Sequence, residues 1–96
     1  MKPIPQTPET EQLARRLVWF EEPRDALADP VRFIAYALES ATHEDMKLLR
    51  QYVTEADILE TLTTPPPGII RARSWAYWNA RMGNYPAPPL PTRNLG

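Results

Sequence analysis

Three residues in the last third of the chain have types and a spacing that suit them to bind an anion. Arg73, Tyr77 and Arg81 recur every four positions, so on a helix they lie along one stripe. A guanidinium group binds a carboxylate or a phosphate through paired hydrogen bonds, and a tyrosine adds an aromatic ring with a polar tip. No acidic residue follows Glu60, so no carboxylate nearby in the sequence can pair with these arginines. The stripe is therefore predicted to bind a partner.

A proline-rich tail completes the predicted partner-binding surface. Residues 84–96 read "NYPAPPLPTRNLG" and are predicted to run as an extended polyproline segment, not as a helix. Within it, "PPLPTR" matches a pattern that docks on the aromatic grooves of SH3 domains. The composition leaves two other roles open: a strap over its own domain, or a segment that docks on another cognate protein. The tail residues assigned to the surface are Tyr85, Pro88, Pro89, Leu90, Pro91 and Arg93.

The sequence contains no pattern that predicts catalysis, a cofactor or a metal site. It has no cysteine and one histidine. His43 stands beside Glu44 and Asp45 at a predicted helix start, and three consecutive residues of a helix point in different directions, so they form a solvated first turn and not one site. No phosphate-binding glycine loop, dinucleotide fingerprint or paired-histidine metal motif occurs. The expectation is a binding protein with no catalytic residue, cofactor or metal, and not an enzyme.

Charge is divided unevenly along the chain. Residues 1–60 carry seven Lys and Arg against twelve Asp and Glu, whereas residues 61–96 carry four Arg and no acid. Attraction between the two parts would account for this division, and the alternative is a basic surface kept for a partner. A DNA-reading helix-turn-helix is not expected, because its second helix, residues 54–62, would carry three acids and no basic residue. Nucleic acid is thus not the expected partner, although the arginine stripe keeps it as an alternative.

Cap residues and periodic apolar residues divide the chain into helices. Helix starts are predicted from N-cap residues, two of them followed by proline at the first helical position: Thr7, Asp29, Thr42 and Thr54. After the second of these caps, Val31, Ile34 and Leu38 repeat at helical spacing, which predicts the most buried helix. In the first helix, the core face is predicted to extend as far as Phe20.

The last helix is predicted to run from about Ile70 to a left-handed glycine cap at Gly83. Trp75, Trp78 and Met82 share a stripe on it that is separate from the arginine stripe. A domain this small must bury its large apolar side chains, so the tryptophan stripe is predicted to belong to the core.

The predicted architecture is an all-α, compact bundle of about five short helices with a proline-rich extended tail. Residues 1–7 are expected to be an extended N-terminal segment, residues 8–83 a single helical domain, and residues 84–96 the tail. No window of the sequence approaches 18 apolar residues and no signal peptide is recognisable. The expectation is a cytoplasmic protein with no membrane association.

Four segments of the sequence resemble those of a known protein family. The order "LVWFE", "DPVRFIAYALESATHEDMKLLRQYV", "PPGI" and "RSWAYWNARMG" resembles a family of small bacterial helical proteins found beside abortive-infection-type nucleotidyltransferase toxins. The likeness covers about residues 17–83. It implies an antitoxin that neutralises a cognate nucleotidyltransferase by direct binding, with no catalytic residues to carry over. Related chains have an acid and a proline before "RSWAYW", where this chain has "IIRAR". A nucleic-acid-binding accessory protein and an adaptor recruited through its tail are the alternatives.

Overall fold

The computed structural model describes residues 1–90, and most of its helices begin where the sequence places a cap. Within this range there are six helices and no strand. Their bounds are α1 Pro8–Leu17, α2 Pro23–Ala28, α3 Pro30–Ser40, α4 His43–Leu49, α5 Glu55–Thr63 and α6 Ala72–Arg81. The radius of gyration of 12.9 Å is that of a compact unit of about 100 residues. The prediction of an all-α bundle is confirmed.

The predicted helix caps are formed by reciprocal hydrogen bonds. At the start of α4, the Thr42 hydroxyl accepts the Asp45 N–H at 3.1 Å, and the Asp45 carboxylate accepts the Thr42 N–H at 3.2 Å. Thr54 and Asp57 repeat the arrangement at α5. Each pair satisfies two of the backbone donors that a helix start leaves without partners. Thr7 caps α1 in the same way.

The helix count differs from the prediction of about five, because residues 23–28 form a full helix. α1 has already ended at Leu17, and the fixed φ of Pro23 suits the first position of a new helix, so α2 begins there. Ala26 and Leu27 on α2 are buried. The expected core position of Phe20 is also wrong: α1 ends at Leu17, the helical period is lost, and the Phe20 side chain is half exposed beside the exposed Trp19.

Helix α3 lies at the centre of the bundle, as predicted. It contacts α1, α2, α5 and α6, and Phe33, Ile34 and Leu38 are buried on more than one of its faces. Ile4 of the N-terminal segment is buried as well and donates its N–H to the Leu27 carbonyl at 3.1 Å. No helix within residues 1–90 is both long and apolar enough to cross a membrane.

The predicted core position of Trp75 and Trp78 is confirmed, whereas Met82, the third member of the predicted stripe, follows α6 and is partly buried. Trp75 and Trp78 are 4% and 9% exposed, and Gly83 ends the helix with a φ of +88°, a conformation that a glycine adopts without strain. No side chain within α6 caps its start. Glu39 of α3 does so instead, since its carboxylate accepts the Arg71 N–H at 2.8 Å. A contact between helices replaces the local cap that "IIRAR" lacks.

Asp45 is a buried carboxylate whose ionisation stabilises the fold. Arg16 of α1 approaches it at 2.6 Å, and this guanidinium, with the Thr42 N–H, holds the pKa of Asp45 below its ordinary value against the opposing effect of burial. A carboxylate with a lowered folded-state pKa contributes stability above its unfolded pKa of about 4. That contribution is lost as the pH falls through the folded-state pKa.

We expect Asp45→Asn to lower the free energy of unfolding at pH 7 by about 1 kcal/mol, because the cap survives in part while the ion pair to a half-exposed arginine is removed. The variant should also lose less stability than the wild type when the pH is lowered below about 4. Urea denaturation across this pH range measures both effects. Glu44→Gln is the control, since Glu44 is exposed and forms no ion pair within residues 1–90. Equal pH dependence in both variants would contradict the assignment.

Candidate functional site

An open cavity of about 470 Å³ lies between α4 and α6, and residues from the last turn of α3 and the following linker also line it. We call it the basic cavity. The residues of its α4 wall are spaced i, i+3, i+4 and i+7 and so lie on one face of that helix. The opposite wall is formed by one face of α6. The lining residues are His43, Met46, Lys47 and Arg50 from the α4 side, Arg73, Ser74, Tyr77, Trp78 and Arg81 from α6, and Leu38, Ala41 and Thr42 from the last turn of α3 and the linker that follows it.

Four side chains of the lining carry a permanent positive charge and none carries a carboxylate. The cations are Lys47, Arg50, Arg73 and Arg81. The nearby Asp45 carboxylate faces α1, where it meets Arg16. A cavity with one sign of charge and low-dielectric walls concentrates the field, so this one attracts anions.

The basic side chains of the cavity are mostly without an acidic partner. Within the part of the chain that the structure describes, Lys47, Arg73 and Arg81 have no carboxylate oxygen within 4 Å, and Arg50 lies 3.6 Å from the exposed Glu55. By contrast, Arg71 pairs with Glu39 at 3.7 Å. Attraction between the acidic and basic parts of the chain therefore accounts for Arg71 and leaves Arg73 and Arg81 available for a ligand or a partner.

Aromatic rings form part of the α6 wall. Trp78 is buried and donates its Nε1–H to the Leu38 carbonyl at 3.0 Å, which fixes the ring. The Tyr77 ring, 55% exposed, stands nearly perpendicular to it with the centroids 5.3 Å apart. The Arg81 guanidinium lies 5.8 Å from the Trp78 ring centroid and 3.4 Å from the Tyr77 hydroxyl. Arg73, Tyr77 and Arg81 do share one exposed face of α6, and what that face binds stays a prediction.

The described part of the tail lies against its own domain. The Pro88 carbonyl accepts a hydrogen bond from Trp75 Nε1 at 2.8 Å, and Ala87 and Leu90 pack, partly buried, on the core. Tyr85, Pro88 and Pro89 are exposed. Residues 84–90 contribute no side chain to the lining of the basic cavity.

The structure thus separates the predicted surface into the α6 stripe and the tail. Pro91 and Arg93, which were predicted to belong to it, lie outside the described residues.

Sequence reasoning missed the α4 wall of the cavity. His43, Lys47 and Arg50 share a helix face, but the sequence alone predicts a solvated first turn at His43 and assigns no binding role to Lys47 or Arg50. Their relevance comes from the packing that brings α4 opposite α6, which starts more than 20 residues after α4 ends. No local signal in the sequence reports that approach.

The arrangement suits binding of an anion through guanidinium, ammonium and hydroxyl groups. Among residues 1–90, no group of three or more histidine or acidic side chains is placed to hold a metal ion. No protein-family model matches the chain, and neither curated proteins nor solved structures include a significant match to it.

Proposed function

We propose that the chain is an antitoxin that neutralises a nucleotidyltransferase toxin by direct protein–protein binding and performs no catalysis itself. The observation that supports the proposal is the basic cavity, in which Arg73, Arg81 and Lys47 have no acidic partner within residues 1–90. The choice of toxin comes from the resemblance in sequence. The proposal places the protein in the cytoplasm, where a toxin of this type acts.

The charge of the cavity matches the proposed partner. Nucleotidyl transfer uses metal ions held by carboxylates, so the active site of such a toxin is acidic. Arg73 and Arg81 can place their guanidinium groups against these carboxylates, where Arg forms paired hydrogen bonds more readily than Lys. The exposed Tyr77 ring between them supplies the kind of aromatic contact that anchors interfaces.

The tail extends the proposed interface. Tyr85, Pro88 and Pro89 are exposed on the described part of the tail, and a segment stiffened by proline loses little conformational entropy when a partner binds it. Leu90, Pro91 and Arg93 belong to the same proposal, and Leu90 is partly buried against the core.

The test is reversal of charge on the α6 wall. The Arg73→Glu, Arg81→Glu double variant is expected to bind the toxin at least tenfold more weakly, about 1.4 kcal/mol, to associate more slowly, and to show a flatter salt dependence of the association rate. Capture from the native host with the full chain, identification by mass spectrometry and binding kinetics of the purified pair measure these changes. A matched control is Arg15→Glu with Arg24→Glu, which changes the charge equally at exposed sites of α1 and α2.

Two results would contradict different parts of the proposal. A captured protein that is not a nucleotidyltransferase ends the antitoxin interpretation. If the cavity variant and the control bind the toxin equally well, the interface does not include the basic cavity and is assigned to the acidic surface of residues 1–60 instead.

A nucleic-acid-binding accessory protein is the second candidate function. The observation that favours it is that Lys47 and Arg50 line the same cavity as the α6 arginines and so enlarge the basic surface. This function predicts binding of RNA or DNA that falls steeply as the salt concentration rises. Fluorescence anisotropy with single-stranded and duplex oligonucleotides at several salt concentrations distinguishes the two candidates. The adaptor alternative rests on the tail alone and predicts a partner that binds equally well to the cavity variant.

A further inference from the structure

We infer that the basic cavity is a binding site for a nucleoside polyphosphate, with the phosphates held by Lys47, Arg50, Arg73 and Arg81 and the base placed against Tyr77. This binding is a property of the isolated chain. It does not depend on a toxin and goes beyond the function proposed above.

The number of cations favours phosphate over a carboxylate as the ligand. Four permanent positive charges from two helices line one cavity that contains no acid. A single carboxylate would neutralise one of them, whereas each terminal phosphate carries a charge of about −2 at pH 7. Arg50 shares its charge with the exposed Glu55 at 3.6 Å. A diphosphate of about −3 therefore balances Lys47, Arg73 and Arg81, and a triphosphate of about −4 balances all four cations.

The arrangement of donors also suits a chain of phosphates. Arg73 and Arg81 lie two helical turns apart on α6, and Lys47 and Arg50 face them from α4. Contacts spread over about 12 Å of helix match an extended polyphosphate better than one compact anion. The Ser74 hydroxyl, half-buried in the same lining, adds a donor that carries no charge.

The aromatic side chains of the α6 wall provide a surface on which the base of a nucleotide can stack. Tyr77 is 55% exposed at the cavity, and a base stacks on an exposed ring irrespective of its identity. Trp78 behind it is held in place by its hydrogen bond to Leu38, so the wall is formed before a ligand arrives. The volume of about 470 Å³ falls within the range of about 300–1,000 Å³ of sites for small molecules.

A small anion fits this surface better than a long nucleic acid does. Without the four cavity cations, the chain carries seven Lys and Arg against twelve Asp and Glu, so the rest of it has a net negative charge. A polyanion that extends past the cavity would meet this surface and be repelled, whereas a nucleotide interacts with the cavity alone.

The test is calorimetric titration of the purified full chain, without toxin and at physiological salt, with ATP, GTP, inorganic triphosphate and adenosine. We expect saturable one-to-one binding of ATP and GTP, at least tenfold tighter than that of adenosine. Arg73→Gln with Arg81→Gln should weaken binding of ATP and of triphosphate at least tenfold. Tyr77→Leu should weaken binding of ATP several-fold and leave triphosphate unchanged. Arg15→Gln with Arg24→Gln is the matched control and should bind as the wild type does, and thermal denaturation verifies that each variant is folded.

Absence of saturable binding of ATP and GTP overturns the inference, and so does binding that survives the cavity substitutions. Tighter binding of a single-stranded RNA oligonucleotide than of ATP, with a steep salt dependence, would overturn it in favour of a polyanion. If Tyr77→Leu changes neither the affinity for ATP nor the affinity for triphosphate, Tyr77 does not contact the base. That result overturns the assignment of the ligand as a nucleoside polyphosphate. None of these results depends on toxin binding, so failure here is distinguishable from failure of the antitoxin proposal.

Discussion

Replacement of Trp78 with alanine is expected to lower the free energy of unfolding by about 3–5 kcal/mol. Trp78 is 9% exposed and its Nε1–H bonds to the Leu38 carbonyl across the α3–α6 contact. Truncation leaves a cavity that the surrounding helices cannot fill and removes the donor to a buried carbonyl. Domains of this size are stable by about 5–15 kcal/mol, so a large part of the stability should be lost. Urea denaturation followed by circular dichroism measures the change.

Trp19→Ala is the matched control, because it deletes the same atoms from a ring that is 76% exposed. Trp19 contacts Phe20 edge to face with the ring centroids 5.5 Å apart, so its loss should cost no more than about 1 kcal/mol. If the two substitutions have equal effects, Trp78 does not hold α6 on the bundle. If Trp78→Ala is stable while ligand binding is lost, the ring acts as a recognition surface instead.

Much of the fold could be predicted because the residues that determine a helix start, a helix end or a helix face lie within a few positions of one another in the sequence. The caps at Thr42 and Thr54 each need only a residue three positions on, and the glycine at position 83 supplies a conformation that the helix end requires. The separation of Trp75 and Trp78 from the arginine stripe follows from the helical period alone. These features can be predicted without knowledge of which helices pack against one another.

Features that depend on contacts between helices were not predictable in this way. The sequence places Asp45 in a solvated first turn, whereas in the structure Asp45 is buried and pairs with Arg16, 29 positions earlier in the chain. Glu39 caps α6 from α3 for the same kind of reason. Phe20 was assigned to the core because the apolar pattern continues past Leu17, while the helix does not.

The candidate site shows the same division. Its α6 wall was predicted residue by residue, since Arg73, Tyr77 and Arg81 lie on one helix. Its α4 wall depends on α4 lying across the cavity from α6, and no local pattern in the sequence indicates that placement. The sequence therefore indicated a basic stripe, and the structure turns that stripe into one side of a cavity.

A chain that ends at Gly83 is expected to be less stable than a chain that ends at Leu90 by about 2 kcal/mol. The seven residues between these ends place Ala87 and Leu90, both partly buried, against the core, and the Pro88 carbonyl accepts the Trp75 Nε1–H at 2.8 Å. Loss of about half the burial of a leucine accounts for about 1 kcal/mol, and the hydrogen bond for about another. Chemical denaturation of the two chains measures the difference.

Trp75→Phe in both chains isolates the hydrogen bond. The substitution should cost about 1 kcal/mol more in the longer chain than in the shorter one, because only the longer chain contains the Pro88 acceptor. Equal costs would mean that the bond adds nothing, and equal stability of the two parent chains would mean that residues 84–90 are held too weakly to act as a strap. The expected result limits how the tail can serve a partner: a partner that pulled it away would lose about 2 kcal/mol of its binding free energy, about thirtyfold in affinity. A partner therefore binds more tightly if it contacts Tyr85 and the exposed prolines where they already lie.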